Sequence, residues 1–186
     1  MDRRSKILTV DDDETMLELF KEVLEHEGWA VVQARDGVEA LEKFDRLDPD
    51  LVLLDLMLPR LNGFDICSRL RHNARSRHVP IIMLSGVAER DAKVRALEQG
   101  VNEFLLKPIA PAELVSRVRA ALNLHLCHKC REEHLTRLTA ARDQLHHVRQ
   151  SLTTADQLHG GSTNPGLTQA FARLTEHCER LEQILG

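Results

Sequence analysis

The sequence predicts an α/β fold, with a doubly wound five-stranded parallel sheet leading into a long α-helical hairpin. Short apolar runs alternate with helix-length amphipathic segments up to about residue 122. Successive parallel strands need right-handed crossovers, which place helices on both faces of the sheet. From Ala112 to His159 there is neither glycine nor proline, which favours one long helix.

Five apolar runs are the predicted strands, and each has the length of a buried strand. They cover residues 6–10, 30–34, 51–55, 80–84 and 103–106. The segments between them place apolar residues three and four positions apart, which is the spacing of one helix face. The first such segment contains Met16, Leu17, Phe20, Val23 and Leu24. Residues 1–122 are therefore predicted to form one α/β domain.

Residues 123–186 are predicted to form a helical extension. A helix over about 112–158 continues the last helix of the α/β domain, and a loop at 159–166 and a helix at 167–185 follow it. The first helix carries a heptad-like coiled-coil seam. Its members are Leu124, Cys127, Arg131, His134, Leu138, Ala141, Leu145, Val148, Leu152 and Ala155. Because two helices alone bury little apolar surface, pairing of two copies into a four-helix arrangement is expected.

Composition and charge narrow the class of protein. The chain has 186 residues, of which 42% are hydrophobic and 29% charged, as in ordinary globular proteins. Its net charge of −4 argues against nucleic-acid binding through bulk electrostatics. No stretch is long and apolar enough for a membrane span or a signal segment, so a cytoplasmic location without membrane contact is expected. The four cysteines are then expected to be reduced.

Charged side chains follow three of the predicted strands at the point where each strand ends. Asp11, Asp12 and Asp13 follow the first strand, Asp55 ends the third, and Lys107 follows the fifth. The carboxyl ends of parallel strands form the ligand crevice of an open sheet. Several carboxylates beside one lysine suit a hard divalent cation and an anionic phosphoryl group. Asp13 is the exception, since it stands where an N-cap of the next helix is expected.

These residues also carry a family resemblance. Over roughly residues 5 to 122 the chain resembles the receiver domain of bacterial two-component response regulators. The matching pieces are Val10-Asp11-Asp12, Asp55 with Pro59 and Gly63, Ser85-Gly86, and Phe104-x-x-Lys107-Pro108. The resemblance implies a flavodoxin-like sheet with strand order 2-1-3-4-5 and a cis peptide bond between Lys107 and Pro108.

The resemblance also implies roles for the strand-end residues. Asp55 is the expected acceptor of a phosphoryl group from a sensor histidine kinase. Asp11, Asp12 and Asp55, with the backbone carbonyl of Met57, are the expected Mg²⁺ ligands, and Asp12 is the closer of the first two. Lys107 is expected to balance the charge of a phosphoryl oxygen.

Two further residues are implied to read out the phosphorylated state. The Ser85 hydroxyl is expected to move toward the phosphoryl group, and the Phe104 ring is expected to follow it. The predicted function is that of a response regulator, which accepts phosphate and turns over no outside substrate. Its output is expected to be protein–protein contact through a homodimeric helical tail.

The tail shows no basic helix–turn–helix pattern, so DNA binding is not expected. The segment His146-His-Val-Arg-Gln-Ser-Leu-Thr153 resembles the phosphoacceptor box of histidine kinases, which makes His146 a candidate second phosphoacceptor in a phosphorelay carrier. Cys127, Cys130 and His134 are candidate metal ligands on one helix face, which would make the protein a metal-responsive adaptor. The cognate kinase, the downstream target and the effect of phosphorylation on the dimer are not encoded in any motif.

Overall fold

The computed structural model describes residues 4–86 and 90–159, together with residues 169, 173, 174, 176 and 180. The chain divides into two compact units, Met1–Cys127 and His128–Gly186. Ten elements alternate between strand and helix. They are β1 (Lys6–Val10), α1 (Glu14–His26), β2 (Ala30–Ala34), α2 (Gly37–Leu47), β3 (Leu51–Asp55), α3 (Gly63–His72), β4 (Ile81–Ser85), α4 (Arg90–Glu98), β5 (Glu103–Leu106) and α5 (Pro111–His159).

The sheet is parallel throughout, with strand order β2-β1-β3-β4-β5. The predicted fold class and strand order are confirmed. Four strands have the predicted bounds, whereas β4 begins and ends one residue later than predicted. Pro80 has no backbone N–H to donate, and the N–H of Ile81 is satisfied by the Asn102 side chain at 2.9 Å.

Alternate residues of the strands face two different cores. Leu8, Val10, Val52, Leu54 and Met83 belong to the core beneath α2, α3 and α4. The residues between them face the core beneath α1 and the first turns of α5. These are Ile7, Leu51, Leu53, Ile82, Leu84 and Leu105. Both faces are covered, which explains why every residue of β3 and β4 is buried and why these strands read as unbroken apolar runs.

Side-chain caps fix where the first three helices begin. Asp13 accepts a hydrogen bond from the Thr15 N–H at 2.8 Å, as expected for the N-cap of α1. Asp36 accepts from the N–H groups of Val38 and Glu39 at the start of α2. Asn62 caps α3 by accepting from the Asp65 N–H. Asp13 is therefore committed to a helix end, unlike Asp11 and Asp12.

The long helix predicted from residue 112 to 158 is present as α5. In the first unit, its residues Leu114, Val118 and Leu122 are buried in the core that it shares with α1. In the second unit, most of its side chains are exposed, and Leu138, Ala141 and Leu145 of the predicted seam are partly buried. The predicted loop beyond His159 and most of the predicted helix at 167–185 lie outside the described residues.

No helix within the described ranges is both long enough and apolar enough to cross a membrane.

Candidate functional site

Three carboxylates meet at the carboxyl edge of the sheet. Asp11 and Asp12 directly follow β1, and Asp55 ends β3. One carboxylate oxygen of each lies within 4.8 Å of those of the other two. Asp11 and Asp55 are buried and Asp12 is exposed, so the cluster opens to solvent on one side. The parallel pairing of Val10 with Leu54 explains why residues 44 positions apart in sequence come together here.

Lys107 reaches this cluster from the loop that follows β5. Its Nζ donates a hydrogen bond to Asp11 Oδ2 at 2.6 Å and lies 3.0 Å from Asp55 Oδ1. The N–H of Lys107 donates to the Ser85 carbonyl at 2.8 Å, which places the lysine directly beyond the end of β4. The peptide bond between Lys107 and Pro108 is cis, as the family resemblance implied. One ammonium group therefore contacts two of the three carboxylates.

The charge balance of the cluster is uneven. Burial raises the pKa of Asp55, and the charges of Asp11 and Asp12 add to this effect, which the contact with Lys107 only partly offsets. Burial disfavours the charged form of Lys107, but its hydrogen bonds to Asp11 and Asp55 outweigh this, and the pKa of Lys107 is raised. The lysine is therefore a fixed cation, and the cluster retains negative charge. Carboxylate oxygens with such an excess of charge suit a hard divalent cation.

The proposed switch residues lie on the neighbouring strands β4 and β5. Ser85 is the last residue of β4 and is fully buried. Phe104 of β5 pairs with Met83 of β4 and packs in the core beneath α2, α3 and α4. Phe104 is therefore a core residue in this structure, and its predicted movement stays a prediction.

The loop after β3 brings its backbone close to Asp55. A Cβ atom on Gly63 would lie 2.6 Å from the Asp55 carbonyl oxygen and 2.9 Å from Leu56 Cα. The Gly63 N–H instead donates to the Leu56 carbonyl at 3.0 Å. This close approach gives Gly63 of the sequence motif a steric role. Met57, whose carbonyl is the fourth predicted metal ligand, lies at the start of this loop with its side chain exposed.

Sequence reasoning missed the contact that links this loop to α2. Arg60 adopts a positive φ of 68° and forms an ion pair with Asp36, the residue that caps α2. Hydrogen bonds from the N–H groups of Glu39 and Val38, aided by Arg60, hold the pKa of Asp36 below its usual value. A pair separated by 24 positions leaves no local pattern in the sequence.

The candidate residues of the tail are dispersed. His146 is exposed, and its Nε2 lies 3.0 Å from Gln150 Nε2, one helical turn further on. Cys127 and Cys130 are exposed free thiols. Throughout the part of the chain that the structure describes, only Asp11, Asp12 and Asp55 form a group of three such residues close enough to share a metal ion. Cys127, Cys130 and His134 therefore do not form a metal site within one described chain.

Residues 7–119 match the family model of the response regulator receiver domain. The chain belongs to this family. The match covers all of the sheet except Lys6, together with the first turns of α5, and it contains the aspartate cluster and Lys107. The family predicted from the sequence is thereby confirmed.

Known relatives share the receiver domain. The DNA-binding response regulator MtrA of Mycobacterium leprae is 45% identical over 119 residues, which cover 64% of this chain and 52% of MtrA. The alkaline phosphatase synthesis transcriptional regulatory protein PhoP of Bacillus subtilis is 43% identical over 63% of this chain and 48% of PhoP. The BeF3-activated N-terminal receiver domain of RstA from Klebsiella pneumoniae superposes with a TM-score of 0.59 at 35% identity, covering 63% of this chain and 98% of that domain.

These relatives correct one expectation. No DNA binding was expected, because the tail lacks a basic helix–turn–helix pattern and the net charge is negative. This expectation was wrong. A relative that shares 45% of the aligned residues is itself a DNA-binding response regulator. The aligned region is only about half of that relative, so net charge and motifs of one region do not decide what a receiver-containing protein binds.

Proposed function

We propose that this protein is a response regulator of a two-component system and that Asp55 accepts a phosphoryl group from the phosphohistidine of a sensor histidine kinase. The observation that carries the proposal is the convergence of Asp11, Asp12, Asp55 and Lys107 at one edge of the sheet. Membership of the receiver family supports it. The relatives' names support a regulatory output.

The proposed step is a displacement at phosphorus. A carboxylate oxygen of Asp55 forms the new O–P bond while the P–N bond to the donor imidazole breaks, and the bond electrons leave with the imidazole nitrogen. The ionised carboxylate is the nucleophile. Although burial raises the pKa of Asp55, the adjacent Lys107 ammonium favours the ionised form. Lys107 also remains close enough to pair with an oxygen of the transferred group.

Mg²⁺ fits the donor atoms of the site. Asp11, Asp12 and Asp55 offer hard carboxylate oxygens, and the Met57 carbonyl is the proposed fourth protein ligand. When bound, Mg²⁺ supplies positive charge that offsets the mutual repulsion between these carboxylates and an incoming phosphoryl group. Lys107 alone leaves this repulsion only partly compensated, because its single charge contacts Asp11 and Asp55 while Asp12 adds a third carboxylate to the cluster.

The proposed readout follows the strands next to Asp55. Ser85 and Lys107 are already linked, because the Lys107 N–H donates to the Ser85 carbonyl. A phosphoryl group on Asp55 adds acceptor oxygens that the Ser85 hydroxyl can reach by moving toward the site. Phe104 belongs to the same β4–β5 pairing, which supports a response of its ring to this movement.

Phosphoryl transfer is tested by incubating the full chain with acetyl phosphate, a small-molecule donor, and measuring incorporation by intact-protein mass spectrometry. One phosphoryl adduct that requires Mg²⁺ and is released by hydroxylamine is expected, because an acyl phosphate is the predicted product. Asp55→Asn is expected to abolish the adduct. Asp13→Asn is the matched control, since asparagine also caps a helix and should leave the adduct intact. An adduct that persists in Asp55→Asn contradicts the proposal.

We further propose that α5 joins two copies of the chain. The supporting observation is that Leu138, Ala141 and Leu145 of the predicted seam are partly buried on one face of the stretch of α5 beyond Cys127, where most other described side chains are exposed. Light scattering on the full chain tests this. Leu138→Asp with Leu145→Asp is expected to give a monomer, whereas Leu135→Asp, at an exposed position off the seam, is expected to leave a dimer. A monomeric parent chain, with and without beryllofluoride and Mg²⁺, overturns this part.

A further inference from the structure

The end of α3 and the loop before β4 form an unusually basic surface. Between Asp65 and Glu89 the sequence has four arginines and two histidines and no acidic residue. Five of these side chains are exposed, and we call the four that precede His78 the α3–β4 basic surface: Arg69, His72, Arg75 and Arg77. Asp55 lies at the carboxyl end of β3, and α3 runs antiparallel to the strands from there. The α3–β4 basic surface therefore lies at the amino-terminal ends of the strands, opposite Asp55.

The arginines of this surface lack the carboxylate partners that other arginines of the same unit have. Elsewhere, four arginines pair with acids: Arg35 with Glu14, Arg60 with Asp36, Arg117 with Glu103, and Arg119 with Glu27. Within the described ranges, Arg69, Arg75 and Arg77 make no ion pair with a carboxylate. The negative end of the α3 dipole accounts for a cation at Arg69 but not for those beyond the helix.

Arg71 adds positive charge beneath this surface and holds its shape. Its guanidinium donates to the carbonyls of Gly100 and Val79 at 2.9 Å, to the Ser76 carbonyl at 3.3 Å, and to the Asn102 side chain at 3.1 Å. All of these acceptors are neutral. Burial lowers the pKa of Arg71, but an arginine stays protonated near neutral pH even so. Its charge therefore adds to the local positive potential.

The loop itself is tightly built. The buried Ser76 hydroxyl donates to the Leu70 carbonyl at 2.6 Å. The Asn73 side-chain oxygen accepts from the Arg75 N–H at 3.0 Å. The backbone carbonyl of Asn73 accepts from the N–H groups of Ser76 and Arg77. A fixed backbone lowers the entropic cost of presenting Arg75 and Arg77 to a ligand.

The side chains of the α3–β4 basic surface indicate which kind of negatively charged partner it can bind. A protein partner is expected to need an apolar contact at the interface centre, and a lipid surface needs side chains that insert among the acyl chains. Of the described large apolar residues that are exposed, none lies between Arg69 and His78. The surface also has no aromatic side chain on which unpaired bases could stack. Guanidinium groups alone suffice to bind the phosphates of a duplex.

We propose that the α3–β4 basic surface binds the phosphate backbone of double-stranded nucleic acid without sequence preference. The arginines Arg69, Arg75 and Arg77 each contact a phosphate. Three such contacts give weak binding. The logarithm of the association constant is expected to fall linearly with the logarithm of the salt concentration, with a slope of about −2.7. The surface acts independently of Asp55, since the two lie at opposite ends of the strands.

Fluorescence anisotropy of the full chain with a labelled mixed-sequence duplex of about two helical turns tests this. The salt concentration is varied from about 20 to 200 mM. Arg69→Ala/Arg75→Ala/Arg77→Ala is expected to weaken binding at the lowest salt by about tenfold or more and to flatten the salt dependence. Lys93→Ala/Arg137→Ala/Arg142→Ala removes the same charge from exposed positions elsewhere and is expected to bind like the parent chain.

Three results overturn the proposal: no binding by the parent chain, equal weakening in both triple variants, or equally tight binding of polyglutamate. Acetyl phosphate labelling of the same variants separates this question from that of Asp55. Normal labelling together with lost duplex binding in the Arg69/Arg75/Arg77 variant supports the proposed duplex-binding surface. If the duplex-binding proposal fails, the proposal of phosphoryl transfer to Asp55 is unaffected. Far-UV circular dichroism checks that both variants are folded.

Discussion

The Lys107 ammonium lies 2.6 Å from a carboxylate oxygen of Asp11, although 96 positions separate the two residues in sequence. The same nitrogen lies 3.0 Å from Asp55. The contact is possible because β1 and β5, which precede these residues, end at the same edge of the sheet. One cation is thereby shared between two buried carboxylates.

Replacing Asp55 by asparagine is expected to stabilise the fold near neutral pH in the absence of divalent cations. Because burial raises its pKa, Asp55 holds a proton in the folded state at pH values where the unfolded chain has released it. The ionised form therefore costs folding free energy above the folded pKa, and this cost disappears as the pH falls through it. Urea unfolding should show Asp55→Asn more stable than the parent chain at about pH 7, with the difference shrinking toward about pH 4. An unchanged difference at both pH values would contradict the charge balance described here.

Magnesium is expected to stabilise the protein against unfolding. Only the folded chain brings Asp11, Asp12 and Asp55 together, so a bound cation shifts the equilibrium by about 2.7 kcal/mol at one hundred times its Kd. The midpoint of thermal unfolding should rise with added Mg²⁺. Asp12→Asn should weaken the rise, whereas Asp13→Asn should leave it unchanged because Asp13 caps α1. An equal rise in both variants would place the cation elsewhere.

Gly63→Ala is expected to disturb both stability and phosphoryl acceptance. The added Cβ would lie 2.6 Å from the Asp55 carbonyl oxygen, so the backbone after β3 must move. Overpacking of this kind costs about 1–3 kcal/mol. Urea unfolding and acetyl phosphate labelling measure the two effects. Gly86→Ala is the matched control, since no atom of the described residues lies within 4 Å of a Cβ built there. Similar behaviour of the two variants would remove the steric explanation.

Arg71→Ala is expected to destabilise the α3–β4 loop by about 2–4 kcal/mol, because four oxygens lose a charged donor and two of these hydrogen bonds, to Ser76 and Val79, are partly buried. Hydrogen exchange of residues 73–80 should accelerate. Arg69→Ala, at an exposed position two residues earlier, should change the free energy of unfolding by less than about 0.5 kcal/mol. Comparable losses in the two variants would show that charge, and not the hydrogen bonds of Arg71, supports this loop.

The sequence by itself determined most of the fold and the composition of the candidate site. Unbroken apolar runs such as Leu51–Asp55 occur where a strand is covered on both faces, and this local requirement is visible in the chain. The order of Asp11, Asp55 and Lys107 at strand ends predicted that they would meet, because parallel strands bring their carboxyl ends to one edge. Asp13 as a cap and the extent of α5 also followed from local rules.

Net charge and the absence of a DNA-binding pattern did not determine the range of partners. Both describe the chain as a whole or one region of it, whereas a binding surface depends on where charges lie. Relatives that share the receiver domain include a DNA-binding regulator.

Only the tertiary structure decided which side chains pair across the fold. The ion pair of Arg60 with Asp36 and the hydrogen bonds of Arg71 to Gly100 and Asn102 join elements that are not neighbours in sequence. Local propensity carries no information about such contacts, because they arise from packing between crossover loops. The same packing leaves Arg75 and Arg77 exposed without acidic partners among the described residues, and this arrangement is the basis of the proposed duplex-binding surface.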